Sequence, residues 1–301
     1  NFRPGTLDNW GLGWKALSQL NPRLIMVHIS GYGQTGPYRD KPGFGVIGEA
    51  MGGLRYLTGQ PGEPSVRVGV SIGDSLSALY AVIGTLLALQ ERNRSNLGQE
   101  IDVALYESVF AMMESLLPEF DASGQNREPS GSALPGITPS NAYRCQGGDY
   151  VLIAGNGDSI FKRLMGVIGR DDLANDSALA HNDGRSQQAE MIDTAIQAWT
   201  AERPRDAILQ ALDEARVPAG YPYTAEDIAF DPHYLAREMI QTFTRPNGKP
   251  LKVPGVLPKL SATPGRIGDG GPTLGQHTDD VLDELGIDHE TRAKLRQAGI
   301  I

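Results

Sequence analysis

Apolar residues along this chain fall into two rhythms, short unbroken runs that stop at glycines and longer segments with helical spacing. Leu24 to Gly33, "LIMVHISGYG", is a run of strand formers ending in a glycine turn, as expected of a buried strand in an α/β sheet. Val66–Val70 and Ile101–Ala104 read as two further strands. Between the first two lies a Gly/Pro-rich turn and an apolar segment, Val46–Leu57. Ser75–Arg92 reads as a helix, apolar nearly all round and therefore expected inside a domain. Its nearly apolar stretch, Leu76–Leu89, is interrupted by Ser77, Gly84 and Thr85 and falls short of a bilayer span. A helix is expected over Tyr106–Leu116, and the alternation of strand and helix predicts a parallel sheet.

From Asp121 to Ser140 the composition turns polar and rich in Gly, Ser and Pro, which marks a crossing between domains. "NAYRCQGGDYVLIAGN" then predicts a hairpin turning at Gly147-Gly148, followed by helices over Ile160–Ile168 and Gln187–Trp199. In "RPRDAILQALDEARVPAG" the stripe Ile208, Leu209 and Leu212 predicts an amphipathic helix. Asn247-Gly248 marks a second hairpin turn, and "TDDVLDELGIDHETRAKLRQAGII" two short helices.

With 301 residues, 40% of them hydrophobic, the chain has material for a substantial core. A net charge of −9 argues against a sequence-independent grip on nucleic acid, so anionic ligands need a local basic pocket. Arg3, Arg23, Arg39, Lys41, Arg55 and Arg67 give the first 70 residues a basic character that the acidic whole lacks. Lone Cys145 excludes an intramolecular disulfide and a multi-cysteine metal site and fits a reducing compartment, so a cytoplasmic protein without a metal centre or a membrane partner is expected. No signal-peptide pattern opens the chain, which begins "NFRPG" without an initiator Met, as a fragment would.

Four local patterns carry candidate chemistry. Gly43 to Gly48 spells G-x-G-x-x-G, but "YRDKP" before it is no strand, so these read as turn glycines rather than a dinucleotide site. Gly69-Val70-Ser71-Ile72-Gly73 spells the nucleophile elbow of a serine hydrolase in strand-turn-helix context. Such an enzyme also needs an acid and a histidine, and His181, His233, His277 and His289 stand in no informative setting. Asp74 opens the long helix, where it reads first as an N-cap and second as a carboxylate nucleophile that forms an acyl intermediate. Gly155-Asn156-Gly157-Asp158 is a strand-to-helix turn with Asp158 as cap, or a mobile glycine loop over a reacting group.

Taken in order, "NFRPGTLDNWGLGWKAL", "NPRLIMVHISGYGQTGPYRDKPGF", "GEAMGGLRYLTG", "GVSIGDSLSALYAVIGTLLAL", "GQEIDVALYESVF" and "LGQHTDDVL" resemble the class III CoA-transferases, the CaiB/BaiF family, over essentially the whole chain. The resemblance implies that Asp74 attacks an acyl-CoA thioester to give an aspartyl anhydride and then an aspartyl-CoA thioester, from which CoA passes to a carboxylic acid. A helix N-terminus favours negative charge at that position. CoA contacts carry over to Asn1, Phe2, Arg3, Pro42, Gly43, Phe44 and Gly45, and the glycine loop over the active site to Gly155, Asn156 and Gly157. No metal or redox cofactor is implied, coenzyme A being a substrate, and small dicarboxylic acids are the expected acids. A related racemase branch adds a histidine where this chain has Phe44, which exchanges no proton, so transfer is favoured over racemisation.

Family members begin with further residues that supply the first strands of a Rossmann-like domain and a Gln beside the reacting Asp, so the chain as given is expected to lack a complete CoA pocket. The implied fold is α/β: a large Rossmann-like domain, incomplete at its N-terminus, with a smaller α+β domain inserted. On that plan residues 1–125 begin the large domain, 126–230 form the small one, and 231–301 return to the large one and close with its C-terminal helices. An interlocked homodimer is implied. The alternatives are a serine hydrolase acting through Ser71, and a truncated, non-catalytic paralogue.

Overall fold

The computed structural model describes residues 1–301 apart from Pro246 and Asp269. The chain divides into two compact units, Asn1–Gly220 and Tyr221–Ile301.

The first unit opens with α1 (Thr6–Asn9) and α2 (Trp14–Leu20), followed by β1 (Met26–Ser30), α3 (Gly45–Met51), α4 (Leu54–Leu57), α5 (Ile72–Ser95), β2 (Glu100–Ala104), α6 (Leu105–Phe110) and α7 (Leu116–Ser123). Strands β1 and β2 pair in parallel, with Val27 opposite Ile101 and His28 opposite Asp102, and α5 precedes β2 in the crossover. Parallel pairing requires such a crossover, and the apolar run supplies it. Helix α3 packs on α6 through glycines: a β-carbon at Gly48 would stand 2.8 Å from the Leu105 β-carbon, and one at Gly52 2.6 Å from that of Val109. The close approach buries Leu105 and Val109 and sets the angle at which α3 meets the start of α5.

Four expectations change here. Residues 66–70 form no strand: the Val66 amide donates to the Thr58 carbonyl at 2.9 Å, but no ladder follows, because no strand lies beside the segment to accept one. Helix α5 is not enclosed. Gly73, Ser77, Ala81 and Ala88 are buried, while Leu79, Val82, Ile83, Leu86 and Leu87 are each at least half exposed. Small residues let one face approach its neighbours closely, and the large apolar side chains point the other way. The whole of α5, Ile72–Ser95, is also long and apolar enough to cross a bilayer by length and composition. The helix expected over 106–116 is two helices, α6 and α7, separated by a turn in which Glu114 has a φ of 51°.

The rest of the first unit is β3 (Ser140–Arg144), β4 (Tyr150–Ala154), α8 (Asp158–Val167), α9 (Asp171–Ala174), a short 3-10 turn (Ser177–Leu179), α10 (Asn182–Gln187), α11 (Ala189–Ala201), α12 (Arg205–Glu214) and β5 (Ala219–Gly220). The expected hairpin is present and β5 adds antiparallel to β4. Alternation along β4 buries Val151 and Ile153 and turns Tyr150, Leu152 and Ala154 outward. These residues join Tyr143, Phe161, Leu164, Ile192, Ile196, Ile208 and Leu212 in one core built entirely within residues 143–217. Burial, together with a 2.6 Å hydrogen bond that its hydroxyl donates to Asp193, pushes the Tyr143 phenol well above its usual range.

In the second unit α13 (Ala225–Phe230) and α14 (Pro232–Ala236) precede the antiparallel pair β6 (Ile240–Thr244) and β7 (Pro250–Pro254), then α15 (Thr278–Glu284) and α16 (His289–Gln297). The turn joining β6 to β7 contains Asn247 and Gly248, the latter at φ 78°, which glycine adopts without strain. The segment "FTRPNGKPLKVPG" includes Pro246, which lies outside the described residues.

Candidate active site

Helix α5 begins at Ile72, with Ser71 as its N-cap residue, and Asp74 stands in the first turn. Ser71 makes no side-chain cap bond, and Asp74 is not the cap expected from its position. The Asp74 carboxylate is exposed and engaged in no hydrogen bond or ion pair among the described residues, so its oxygens are free for an incoming group. The first turn of a 24-residue helix presents partial positive charge to any anion held there.

Opposite Asp74 lies the start of α3. A β-carbon at Gly45 would overlap the Asp74 carboxylate, so only glycine leaves that side chain its position. The chain reaches Gly45 by another close crossing: Gly31, after β1, packs so tightly on Gly43 that a β-carbon at Gly31 would stand 2.9 Å from the Gly43 α-carbon. The loop after β1 is itself pinned. The Gln34 amide donates to Asp102 on β2 at 2.8 Å, and the Gly33 amide, at a φ of 88°, donates to the Ser30 hydroxyl.

These crossings enclose a cleft of roughly 340 Å³, with Asp74 and Leu105 on one side, Ile29 to Gly31 at the strand end, and Asn1 to Pro4, Arg39 and Pro42 to Gly45 around it. Lys41 completes the rim, its ammonium 3.6 Å from the centre of the Tyr38 ring. The cleft thus gathers Asn1, Phe2, Arg3, Pro42, Gly43, Phe44, Gly45 and Asp74, which are far apart in sequence. Three cations, Arg3, Arg39 and Lys41, line it, whereas Arg23, Arg55 and Arg67 do not. Phe44, 77% exposed, and Phe2, 49% exposed, offer aromatic faces beside those charges.

Gly155, Asn156 and Gly157 do not line this cleft. They connect β4 to α8, whose N-cap is Gly157, so Asp158 stands in the first turn rather than at the cap. The buried Arg185 donates to the carbonyls of Asn156, Thr138, Leu179 and Ala180 and to Asp158. Arg185, with His181 beside it, holds the Asp158 carboxyl below its usual range. That pairing accounts for His181, and no hydrogen bond joins Ser71 to a histidine among the described residues. Cys145 is buried and free, and no group of acidic, His and Cys side chains among the described residues is arranged to hold a metal ion.

Asp102 escaped sequence reasoning. A carboxylate at its place in "EIDVA", where a parallel strand needs apolar residues, is the signal that was available.

Residues 1–278 match the family model described as CoA-transferase family III. The chain belongs to that family. It is an enzyme that moves CoA from an acyl-CoA donor to a carboxylic acid. A Chloroflexus aurantiacus succinyl-CoA–D-citramalate CoA-transferase is 47% identical over the whole chain, which spans 75% of that protein. The beta subunit of a succinyl-CoA–L-malate CoA-transferase from the same organism is 40% identical over the whole chain and 75% of its own length. Among solved structures, a CAIB/BAIF family protein from Brucella suis superposes with a TM-score of 0.79 at 32% identity, over 95% of this chain and 74% of that one. The mixed α/β fold of this CoA-transferase is therefore that of the CaiB/BaiF proteins.

Proposed function

We propose that this transferase exchanges CoA between small dicarboxylic acids, with Asp74 as its covalent nucleophile. The observation that carries the reading is the unpaired Asp74 carboxylate beside a cleft whose rim holds Arg3, Arg39 and Lys41. The cations suit the phosphates of CoA, Arg by paired hydrogen bonds and Lys as a point charge. Phe2 and Phe44 offer faces for its adenine ring. Asn1 and the backbone of Pro42 to Gly45 complete that contact, and the Gly155-Asn156-Gly157 loop covers the reacting group during turnover. The enzyme works in the cytoplasm as an interlocked homodimer, on the plan of a large domain with a small one inserted at residues 126–230, and needs no cofactor. The acids are inferred from the relatives, named for succinyl-CoA with D-citramalate, L-malate and mesaconate.

An Asp74 oxygen attacks the thioester carbon, the C–S bond breaks, and its electron pair leaves on CoA as a thiolate, giving an acyl-aspartyl anhydride. The thiolate attacks the Asp74 carbonyl and expels the first acid as its carboxylate. The acceptor carboxylate then attacks the aspartyl-CoA thioester, releasing thiolate and forming a second anhydride. Thiolate attack on the acceptor carbonyl releases the new acyl-CoA and restores Asp74. No proton is gained or lost. Gly45 leaves room for the carboxylate to swing between these partners. Phe44, where a racemase would need an acid or base, supplies neither.

Purified enzyme incubated with succinyl-CoA and a panel of acceptors tests the reading. Citramalate, malate or mesaconate should yield the new thioester, and Asp74→Ala should abolish it while Ser71→Ala does not. Turnover that survives Asp74→Ala, or an acceptor range confined to monocarboxylates, would refute it.

A further inference from the structure

One fully buried charged side chain stands beside Asp74 without lining the cleft. Glu49 is 1% exposed and follows Gly45 by one turn on α3, so the two share a helix face. Gly45 meets the Asp74 carboxylate. Glu49 runs beneath the preceding residue, its γ-carbon 3.4 Å from where a β-carbon on Gly73 would be. Its Oε2 pairs with Arg67 Nε at 3.7 Å, and its Oε1 is buried without a hydrogen-bond partner among the described residues. A carboxylate taken out of water on such terms is costly, and an apolar residue of similar size would fill the same space without that cost.

What this carboxylate holds is the approach to the nucleophile. Arg67 lies in the segment expected as a strand. Apart from the bond that the Ile72 amide of α5 donates to the Val70 carbonyl at 3.0 Å, no backbone hydrogen bond ties residues 67–70 to a neighbouring element among the described residues. Among the described residues, the Arg67–Glu49 ion pair ties this segment to α3. Glu49 thereby touches both the segment that leads into α5 and the residue before Asp74, from the same helix whose start limits where the Asp74 carboxylate can lie. An acid or base role is not required of it, since CoA transfer between carboxylates moves no proton, and Glu49 does not reach the cleft.

We propose that Glu49 is a positioning residue which, through Arg67 and the peptide at Gly73, fixes the start of α5 so that Asp74 meets the thioester carbon in attacking geometry. The inference rests on Asp74 being the nucleophile. Misplacing a reacting group by about 1 Å costs on the order of a hundredfold in rate, which sets the size of effect sought.

The test compares Glu49→Gln, Arg67→Gln, the double variant and Asp74→Asn by steady-state kinetics, rapid-quench acylation of Asp74 and melting temperature. Glu49→Gln keeps the shape and removes the charge. Arg67 is half exposed, so Arg67→Gln folds and carries the test by itself if Glu49→Gln does not. Each single variant should lower kcat and the acylation rate by roughly ten- to a hundredfold with KM for acyl-CoA little changed. The double variant should be no worse than the weaker single one, because the two residues act as a unit. Arg67→Lys should recover part of the loss. Wild-type kcat in a folded Arg67→Gln or Glu49→Gln enzyme, a loss confined to KM, or additive losses in the double variant would overturn the inference. If Asp74→Asn remains active, the nucleophile assignment itself fails; if it is dead while the Glu49 and Arg67 variants turn over normally, only the positioning role fails.

Discussion

Gly45→Ala isolates the geometry on which the proposed chemistry depends. The added β-carbon would stand 3.0 Å from Asp74 Cγ and closer still to Oδ2. Ordinary van der Waals contact begins near 3.4 Å, so Oδ2 must retreat by about 1 Å, either by leaving its rotamer at a cost of ~1 kcal/mol or by displacing the start of α3. Folding is little affected. Gly45 sits at the first position of α3, its φ is not in the left-handed region, and alanine is the better helix former. The melting temperature should therefore stay within about 4 °C of wild type, corresponding to less than ~1 kcal/mol. Catalysis is affected strongly, because a carboxylate displaced by about 1 Å loses on the order of a hundredfold in attack rate. The assay is single-turnover formation of the Asp74 adduct with saturating succinyl-CoA. Wild-type acylation in a folded Gly45→Ala enzyme would refute the claim that this glycine exists to seat the nucleophile.

Arg185→Met leaves the carbonyls of Asn156, Thr138, Leu179 and Ala180 without their donor, and at ~1–3 kcal/mol per unsatisfied buried group a loss of at least ~3 kcal/mol in chemical denaturation is expected. Since Asp158 titrates below its ordinary 3.8, its pair with Arg185 stabilises the fold above that value and is lost as pH falls through the depressed one. Melting curves of Asp158→Asn should accordingly lose part of the wild-type fall in stability at acid pH, and identical curves would contradict the pairing. Asp102→Ala frees the Gln34 amide and loosens the loop that presses on Gly43, raising KM for acyl-CoA about tenfold for a lost bond to a charged group. The exposed apolar face of α5 should make the folded chain bind a hydrophobic dye, and Ile83→Lys with Leu87→Lys should reduce that fluorescence.

The hydrophobic rhythm reveals the elements that have a strand to pair with: β1, half-buried along its length beside β2, and β4 within the core of residues 143–217. The run at 24–33 contains β1, and "YVLIA" is β4 with its alternation intact. The elements that lack a covering partner were misread. Residues 66–70 have the composition of a strand and no neighbour to pair with, and α5 has the composition of an enclosed helix while half its circumference faces outward. Periodicity reports what a segment can bury, and what covers it is decided elsewhere in the fold.

The cleft was legible in a similar, partial way. Asp74 stood out because a carboxylate opens an apolar helix, and the residues gathered around it came from the family resemblance rather than from spacing. In sequence Gly45 reads as an ordinary turn glycine, since its meaning lies in a contact with a side chain 29 positions away. Glu49 and Asp102 were missed for the same reason. Glu49 reads as solvent-facing until packing buries it, and Asp102, which stays exposed, reads as a surface charge until its bond to the Gln34 amide is seen.

The most direct test of Asp74 as the covalent nucleophile is peptide mass spectrometry of the enzyme mixed with succinyl-CoA and quenched into hydroxylamine or borohydride. The expected result is a modification confined to the peptide that carries Asp74, dependent on the thioester and absent from Asp74→Ala. An unmodified Asp74 in an enzyme that is turning over, or a label on Ser71, would contradict it.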